Sequence, residues 1–352
     1  MMTTAEKTNS QSRGDWPTLL ADNARTGGQG QHQPRSPEKA AWQFRSGSAV
    51  RSAPILADGL LYVATVSGLV HAIDAATGIS RWKFEAAGQV HSTPSLSGGM
   101  VLFGCDDGKV YALDRHSGKK LWETATRDEV WSSAVVRDGV VFFGSADGTV
   151  YAVESGSGHQ KWSRDLGGRI YSTPHAAEHQ LFVGCGDGKI YSLARESGKI
   201  LWETPTGNGI DSSPAVADGL VLIGSEDFLV YALNEDNGEV RWKYETGLGI
   251  ASSPAVSGNL VVIGSKDGHL YAFDTQTGQL RWKTGLEEVV TAPPVIAEGA
   301  VCIQAGGLVA LDPGNGKTLW RAALGAAIQS VPVLTGDVIY LASLNGEIYA
   351  LR

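Results

Sequence analysis

One tryptophan returns every 40 residues along this 352-residue chain: Trp42, Trp82, Trp122, Trp162, Trp202, Trp242 and Trp282, with Trp320 following after 38. A fixed period of this length constrains the fold strongly. Each unit must repeat one supersecondary structure and bury its apolar face against its neighbour. The units share a phrase that ends at the tryptophan, as in AIDAATGISRW (72–82), ALDRHSGKKLW (112–122) and ALNEDNGEVRW (232–242). Four residues before each Trp from Trp82 to Trp320 stands a glycine: Gly78, Gly118, Gly158, Gly198, Gly238, Gly278 and Gly316. A hairpin loop at that point needs the positive φ that glycine supplies. Upstream lie short apolar runs such as QLFVGCGDG (180–188), bounded by Asp-Gly and Gly-Asn turns, which read as antiparallel strands. No helical period of useful length is present.

Four strands per repeat, eight times over, predict an all-β eight-bladed β-propeller of four-stranded antiparallel blades. Blade 1 covers about 47–86 and the last blade 325–352. That last blade has no tryptophan of its own, whereas AAWQF (40–44) carries a spare one in Trp42. The N-terminal strand is therefore expected to complete the last blade, closing the ring and leaving no sheet edge open there. The chain divides into an N-terminal extension, 1–38, disordered over 1–14, and a single propeller domain, 39–352.

The repeated phrase resembles the tryptophan-docking repeat of the quinoprotein alcohol dehydrogenase-like (PQQ-like) superfamily, and DWPTLLADNARTG (15–27) is similar to the lead-in before the first blade of such proteins. The resemblance covers about 40–352 and implies the propeller. It leaves function open, because that fold hosts redox enzymes, assembly factors and sensors. PQQ-dependent dehydrogenases carry an adjacent cysteine pair and calcium ligands, are longer, and are usually exported. Here Cys105, Cys185 and Cys302 are far apart in sequence and read as small buried residues. No metal and no organic cofactor is expected, since neither CxxC nor HExxH spacing occurs.

A net charge of −8 without a basic stripe argues against a nucleic-acid partner. No run of 18 apolar residues spans a membrane. The N-terminus, MMTTAEKTNSQSRGDW, has no apolar core of a signal peptide, so the chain as given is expected in the cytoplasm, or in the periplasm or outside the cell if a signal peptide has been removed.

Positions where the repeats disagree separate a site from the scaffold. The segment opening each blade reads AVRSAP (49–54), QVHSTP (89–94), EVWSSA (129–134), RIYSTP (169–174), GIDSSP (209–214), GIASSP (249–254), VVTAPP (289–294) and AIQSVP (327–332). Its second residue is always Val or Ile and its fourth is Ser in seven blades, but the first and third vary. If these segments are the innermost strands, alternation puts the constant apolar residue on one face and the variable pair at the mouth of the central channel. The residue after the Ser/Cys slot of the next loop varies too: Val66, Asp106, Ala146, Gly186, Glu226, Lys266 and Leu344.

The resulting ring is lopsided. Arg51, Gln89, His91, Glu129, Trp131, Arg169, Tyr171 and Asp211 crowd blades 1 to 5, and blade 8 adds Gln329. Aromatic surface, both charge signs and a histidine together form the inventory of a ligand pocket. His91, Tyr171, Asp211 and Glu129 could act as acids or bases. Arg51 and Arg169 could hold a carboxylate or enolate oxygen, Gln89 and Gln329 could add hydrogen bonds, and Trp131 could stack on a planar substrate.

Two function classes stay open. The first is a ligand-binding propeller taking a small molecule or peptide in the channel, with or without cofactor-independent proton-transfer chemistry of the isomerase, cyclase or lyase type. The second is a BamB-like protein-interaction scaffold with a protein partner on the same face. A PQQ-dependent oxidoreductase ranks below both.

Overall fold

The computed structural model describes residues 35–37, 39–297, 299–323, 330–335 and 338–352. These form eight four-stranded antiparallel sheets and no helix. Blade 2 is representative: Ser95–Ser97, Met100–Cys105, Lys109–Asp114 and Lys120–Ala125 pair in chain order. The first strands of successive blades approach one another, so they are the inner strands of the ring. Closure follows the tryptophan count. Ala40–Arg45 pairs antiparallel with Glu347–Leu351 as the outer strand of blade 8, and Lys39 and Arg352 exchange backbone hydrogen bonds at its end.

Every tryptophan of the repeat with a described contact reaches into the next blade. The indole N–H of Trp82 donates to the Arg115 carbonyl at 2.8 Å, that of Trp122 to Ser155 at 2.9 Å and that of Trp202 to Glu235 at 2.9 Å. Trp42 makes the same contact from the closing strand, donating to Ala75 at 2.9 Å. The repeat glycine therefore serves two needs. Gly118 turns the chain at φ +69°, and its missing side chain leaves room for the preceding blade's ring, since a Cβ there would stand 2.6 Å from Trp82.

A second tie runs around the inner ring. In blades 1 to 5 the fifth residue of the opening segment donates its amide to the hydroxyl of its counterpart one blade on. These bonds run Ala53 to Thr93 at 3.2 Å, Thr93 to Ser133 at 3.0 Å, Ser133 to Thr173 at 3.3 Å, Thr173 to Ser213 at 2.8 Å and Ser213 to Ser253 at 2.9 Å. In blade 7 the position is Pro293, which offers neither hydroxyl nor amide hydrogen.

The opening segments differ from the expectation in one respect. They are not ladder strands; 49–54 lies before the inner strand Ile55–Ala57, and the other described segments are placed alike. The fourth-position serine explains how they are held without a ladder. Ser92 Oγ donates to the Gly104 carbonyl at 2.9 Å and accepts from the Gly104 amide at 2.8 Å. The alternation nonetheless holds: Val50, Val90, Val130, Ile170, Ile210, Ile250 and Val290 are fully buried. The cysteines are free and buried, and burial raises the thiol pKa of each to about 12.

His71 is a departure at the seam between blades 8 and 1. Sister blades place a tyrosine there whose hydroxyl donates to an aspartate, as Tyr151 does to Asp147 at 2.7 Å. His71 is buried, with Phe44 of the closing strand edge-on at 5.3 Å, and neither ring nitrogen reaches a partner within hydrogen-bond geometry. Burial lowers its pKa, the Ser46 backbone opposes this, and the Lys83 charge adds to it.

Two predictions follow from these contacts. Gly59 also has positive φ, at +73°, but a Cβ there meets nothing within 4 Å. Gly59→Ala should cost about 1–2 kcal/mol in backbone strain. Gly118→Ala should cost that and a further ~1–3 kcal/mol as the indole is displaced. Urea denaturation reads both, and equal losses would remove the ring-packing role. For His71, the unfolded chain takes up a proton near pH 6.5 while the folded chain resists it. Stability at this site is thus intact above about pH 6.5 and lost as the pH falls below it. The drop in melting temperature between pH 7.5 and 5.5 should be smaller in His71→Phe than in the parent; an unchanged drop would show that His71 does not report on the seam.

Candidate binding site at the channel mouth

Two sets of backbone bonds build the mouth. Within a blade, the amide after the Ser/Cys slot donates to the carbonyl of the first opening residue: Asp106 to Gln89 at 2.8 Å, Ala146 to Glu129 at 2.8 Å, Gly186 to Arg169 at 2.8 Å and Glu226 to Gly209 at 3.1 Å. Between blades, the constant apolar residue donates back to the preceding slot, as Val130 does to Cys105 at 3.1 Å and Ile170 to Ser145 at 3.1 Å. The two variable sets of the sequence are therefore neighbours in space.

Three aromatic side chains from successive blades form a ladder on this frame. His91 lies 4.8 Å from Trp131, centroid to centroid, at 45°, and Trp131 stacks on Tyr171 at 4.7 Å and 23°. Polar groups fix both ends. Asp106 accepts the Trp131 indole N–H at 2.9 Å and stands 3.5 Å from His91 Nε2, which also meets Gln89 Oε1 at 3.2 Å. At the other end Arg169 donates to the Tyr171 hydroxyl at 3.3 Å.

This arrangement bears on how the expected residues can act. Trp131 remains 37% exposed, but Tyr171 stacks on it and His91 leans against it at 45°, so it offers a ligand its edge more than a stacking platform. His91 and Tyr171 each lie against Trp131 and share no hydrogen bond with one another. Asp106, absent from the expected site, ties the ladder together. Its sequence signal was present, because it is the blade 2 member of the variable loop position.

The remaining residues surround the ladder without joining it. Arg51 is exposed and makes no hydrogen bond or ion pair among the described residues. Glu129 is half-buried in blade 3. Asp211 is open to water yet recessed in the wall. Removal from bulk solvent raises its carboxyl pKa first and the Glu226 charge adds to this, while Lys266 and Arg169 pull it down. Glu226 is held by Lys266 from the next blade at 2.5 Å. Gln329 lies outside the described residues. A cavity of about 770 Å³ opens at the opposite end of the ring, on the seam of blades 8 and 1, but its Arg81 and Asp74 already pair at 2.6 Å. Among the described residues no group of three His, Cys, Asp or Glu is placed to hold a metal ion, and no helix is long and apolar enough to cross a membrane.

The ladder's contacts revise the expected cost of truncation. Surface positions usually change stability by less than about 0.5 kcal/mol, but Trp131→Ala removes two ring contacts and should cost about 1–2 kcal/mol. Ile170→Ala should cost about 2–5 kcal/mol through a core cavity. Asp211→Asn should melt at or above the parent at pH 7, because the fold disfavours the charged carboxylate. Thermal melts test all three, and a large loss in Asp211→Asn would contradict the assignment of that residue to the wall.

The fold is shared with known proteins. The family model described as outer membrane protein assembly factor BamB matches residues 23–169 and 146–352. BamB from Moraxella catarrhalis superposes with a TM-score of 0.77 at 19% identity, covering 89% of this chain and 99% of its own. Quinohemoprotein alcohol dehydrogenase from Comamonas testosteroni gives 0.82 at 16% identity, covering 97% of this chain and 81% of its own. The computationally designed Ika8 protein gives 0.79 at 17% identity, covering 90% and 98%. No curated protein matches the chain significantly. At such identities the structural likeness establishes the fold alone.

Proposed function

The chain belongs to the BamB family of PQQ-like β-propellers, and on that premise we propose that it is a binding scaffold, holding a polypeptide segment of a partner protein at the channel mouth. The observation that carries this reading is the closed His91–Trp131–Tyr171 ladder. Its rings are spent on one another, and its hydrogen-bonding groups are satisfied by Asp106, Gln89 and Arg169. A rigid aromatic edge with fixed polar ends suits recognition, where preorganised side chains lose little entropy on binding. It suits proton transfer less well, because His91 and Tyr171 each lie against Trp131 rather than sharing a hydrogen bond.

Charge gives the segment its expected character. Arg51 is exposed and has no ion pair among the described residues, Arg169 flanks the ladder, and Asp211 lies on the far side. A segment with an acidic group toward Arg51 and a hydrogen-bond donor toward Asp211 would use all three. Hot spots of this type concentrate on aromatic and arginine residues.

Site-specific crosslinking tests the reading. A p-benzoylphenylalanine placed at Arg51 should yield adducts with a polypeptide in cells that produce the protein. Adding Trp131→Ala and Asp211→Asn should cut the yield at least tenfold while the protein remains folded. Adducts of equal yield in the triple variant, or none in the parent, would sink the proposal.

A further inference from the structure

The repeat supplies an internal control for a second surface, over blades 5 to 7. The loop between second and third strands ends in glycine at Gly68, Gly108, Gly148, Gly188, Gly268 and Gly346, with φ between +77° and +88°. In blade 5 the position is Phe228, held at φ +77° and 41% exposed. A bulky side chain in the left-handed region is a true outlier, and the sister blades show that the fold does not need it.

Phe228 has an apolar companion. Leu248 is 48% exposed where Ser48, Gly88, Asp128, Gly168, Asn208 and Glu288 stand in other blades. One hydroxyl joins the two residues: Thr246 Oγ1 approaches the Phe228 carbonyl at 2.9 Å and the Leu248 carbonyl at 2.7 Å. The next amide, Gly247, donates at 2.9 Å to Asp267, which lines a recess of about 460 Å³. Glu287, Glu288 and Val289 line the same recess, and Val289 is 62% exposed. Lys266 in its wall is committed to Glu226 at 2.5 Å, and His269 Nδ1 meets the Asp267 backbone carbonyl at 3.1 Å. Lys283 reaches Asp267 at 4.0 Å, whereas Glu287 and Glu288 have no ion pair among the described residues, so the recess keeps an excess of negative charge beside an apolar ledge.

We propose that this rim docks a basic–apolar polypeptide segment of a partner protein, with an apolar side chain covering Phe228 and Leu248 and an adjacent lysine or arginine entering the recess against Glu287 and Glu288. Apolar ledge and acidic recess are contiguous, so one short segment satisfies both. The charge of the recess excludes an acidic segment, which separates this partner from the one expected at Arg51. The surface is independent of the aromatic ladder and stands or falls apart from it.

A fluorescein-labelled, capped hexapeptide of alternating leucine and lysine serves as probe, read by anisotropy. The leucine–glutamate and serine–lysine hexapeptides serve as controls. Leucine–lysine should bind, and both controls should bind at least tenfold more weakly. Phe228→Gly and Glu287→Gly should each lose at least tenfold in affinity while melting at or above the parent. Trp131→Ala should bind as the parent does. Absence of binding, equal binding of the leucine–glutamate peptide, or unchanged affinity in Phe228→Gly overturns the proposal. A lowered melting temperature in Phe228→Gly would assign the residue to the scaffold instead. Sedimentation showing a dimer that Phe228→Gly dissociates would give the surface to a second copy of the chain, and loss confined to Trp131→Ala would return the peptide to the channel mouth.

Discussion

The ring rests on an indole lying against a residue that has no side chain. The seven tryptophans from Trp42 to Trp282 project from the outer strand of one blade onto the glycine turn of the next, and their N–H groups find a carbonyl in that turn. The contact joins apolar burial with a hydrogen bond, so a buried donor is never left unpaired. Because one strand provides the ring and the next blade's turn receives it, no blade is satisfied alone. The last blade borrows its outer strand from the other end of the chain for that reason: without Ala40–Arg45 there is no ring to cover Gly78, and the Ala75 carbonyl keeps only the Tyr340 hydroxyl as donor.

That outer interlock frees the inner segments. The opening residues need only one buried apolar side chain, one serine tied to the second strand and one amide bond to the preceding blade. Their first and third side chains carry no load common to all blades and can vary. The hydroxyl tie that links Ala53 through Ser253 stops at Pro293. The mouth therefore combines a well-tied arc, where the aromatic ladder lies, with an arc where the inner ring lacks that bond.

The sequence was most legible where one residue does one job from blade to blade. The tryptophan period identified the blades and the closing strand, and the Val/Ile constancy identified the buried register that Val130 and Ile170 occupy. Legibility failed where a contact depends on spacing across blades. That Trp131 is sandwiched follows from the distance between neighbouring opening segments, which composition does not encode. Asp106 lies 25 residues before the indole it accepts from, and only the folded ring brings the two together. The opening segments look like strands because they alternate, yet serine side chains replace the ladder that would have made them so.

Repetition also turns departures into evidence. A single Phe at positive φ in an irregular protein could be a local accident of packing. Here six sister loops meet the same turn with glycine, so Phe228 adds strain that closing the blade does not require. His71 is the opposite kind of departure: it replaces a hydrogen-bonded tyrosine with a buried base that has no partner, at the seam where the chain's two ends meet. One substitution adds surface and the other removes a polar contact from the interior. Both are affordable because the tryptophan interlock is duplicated around the ring, so a local loss at one blade leaves the remaining interfaces intact, as nearest-neighbour coupling in repeat architectures predicts.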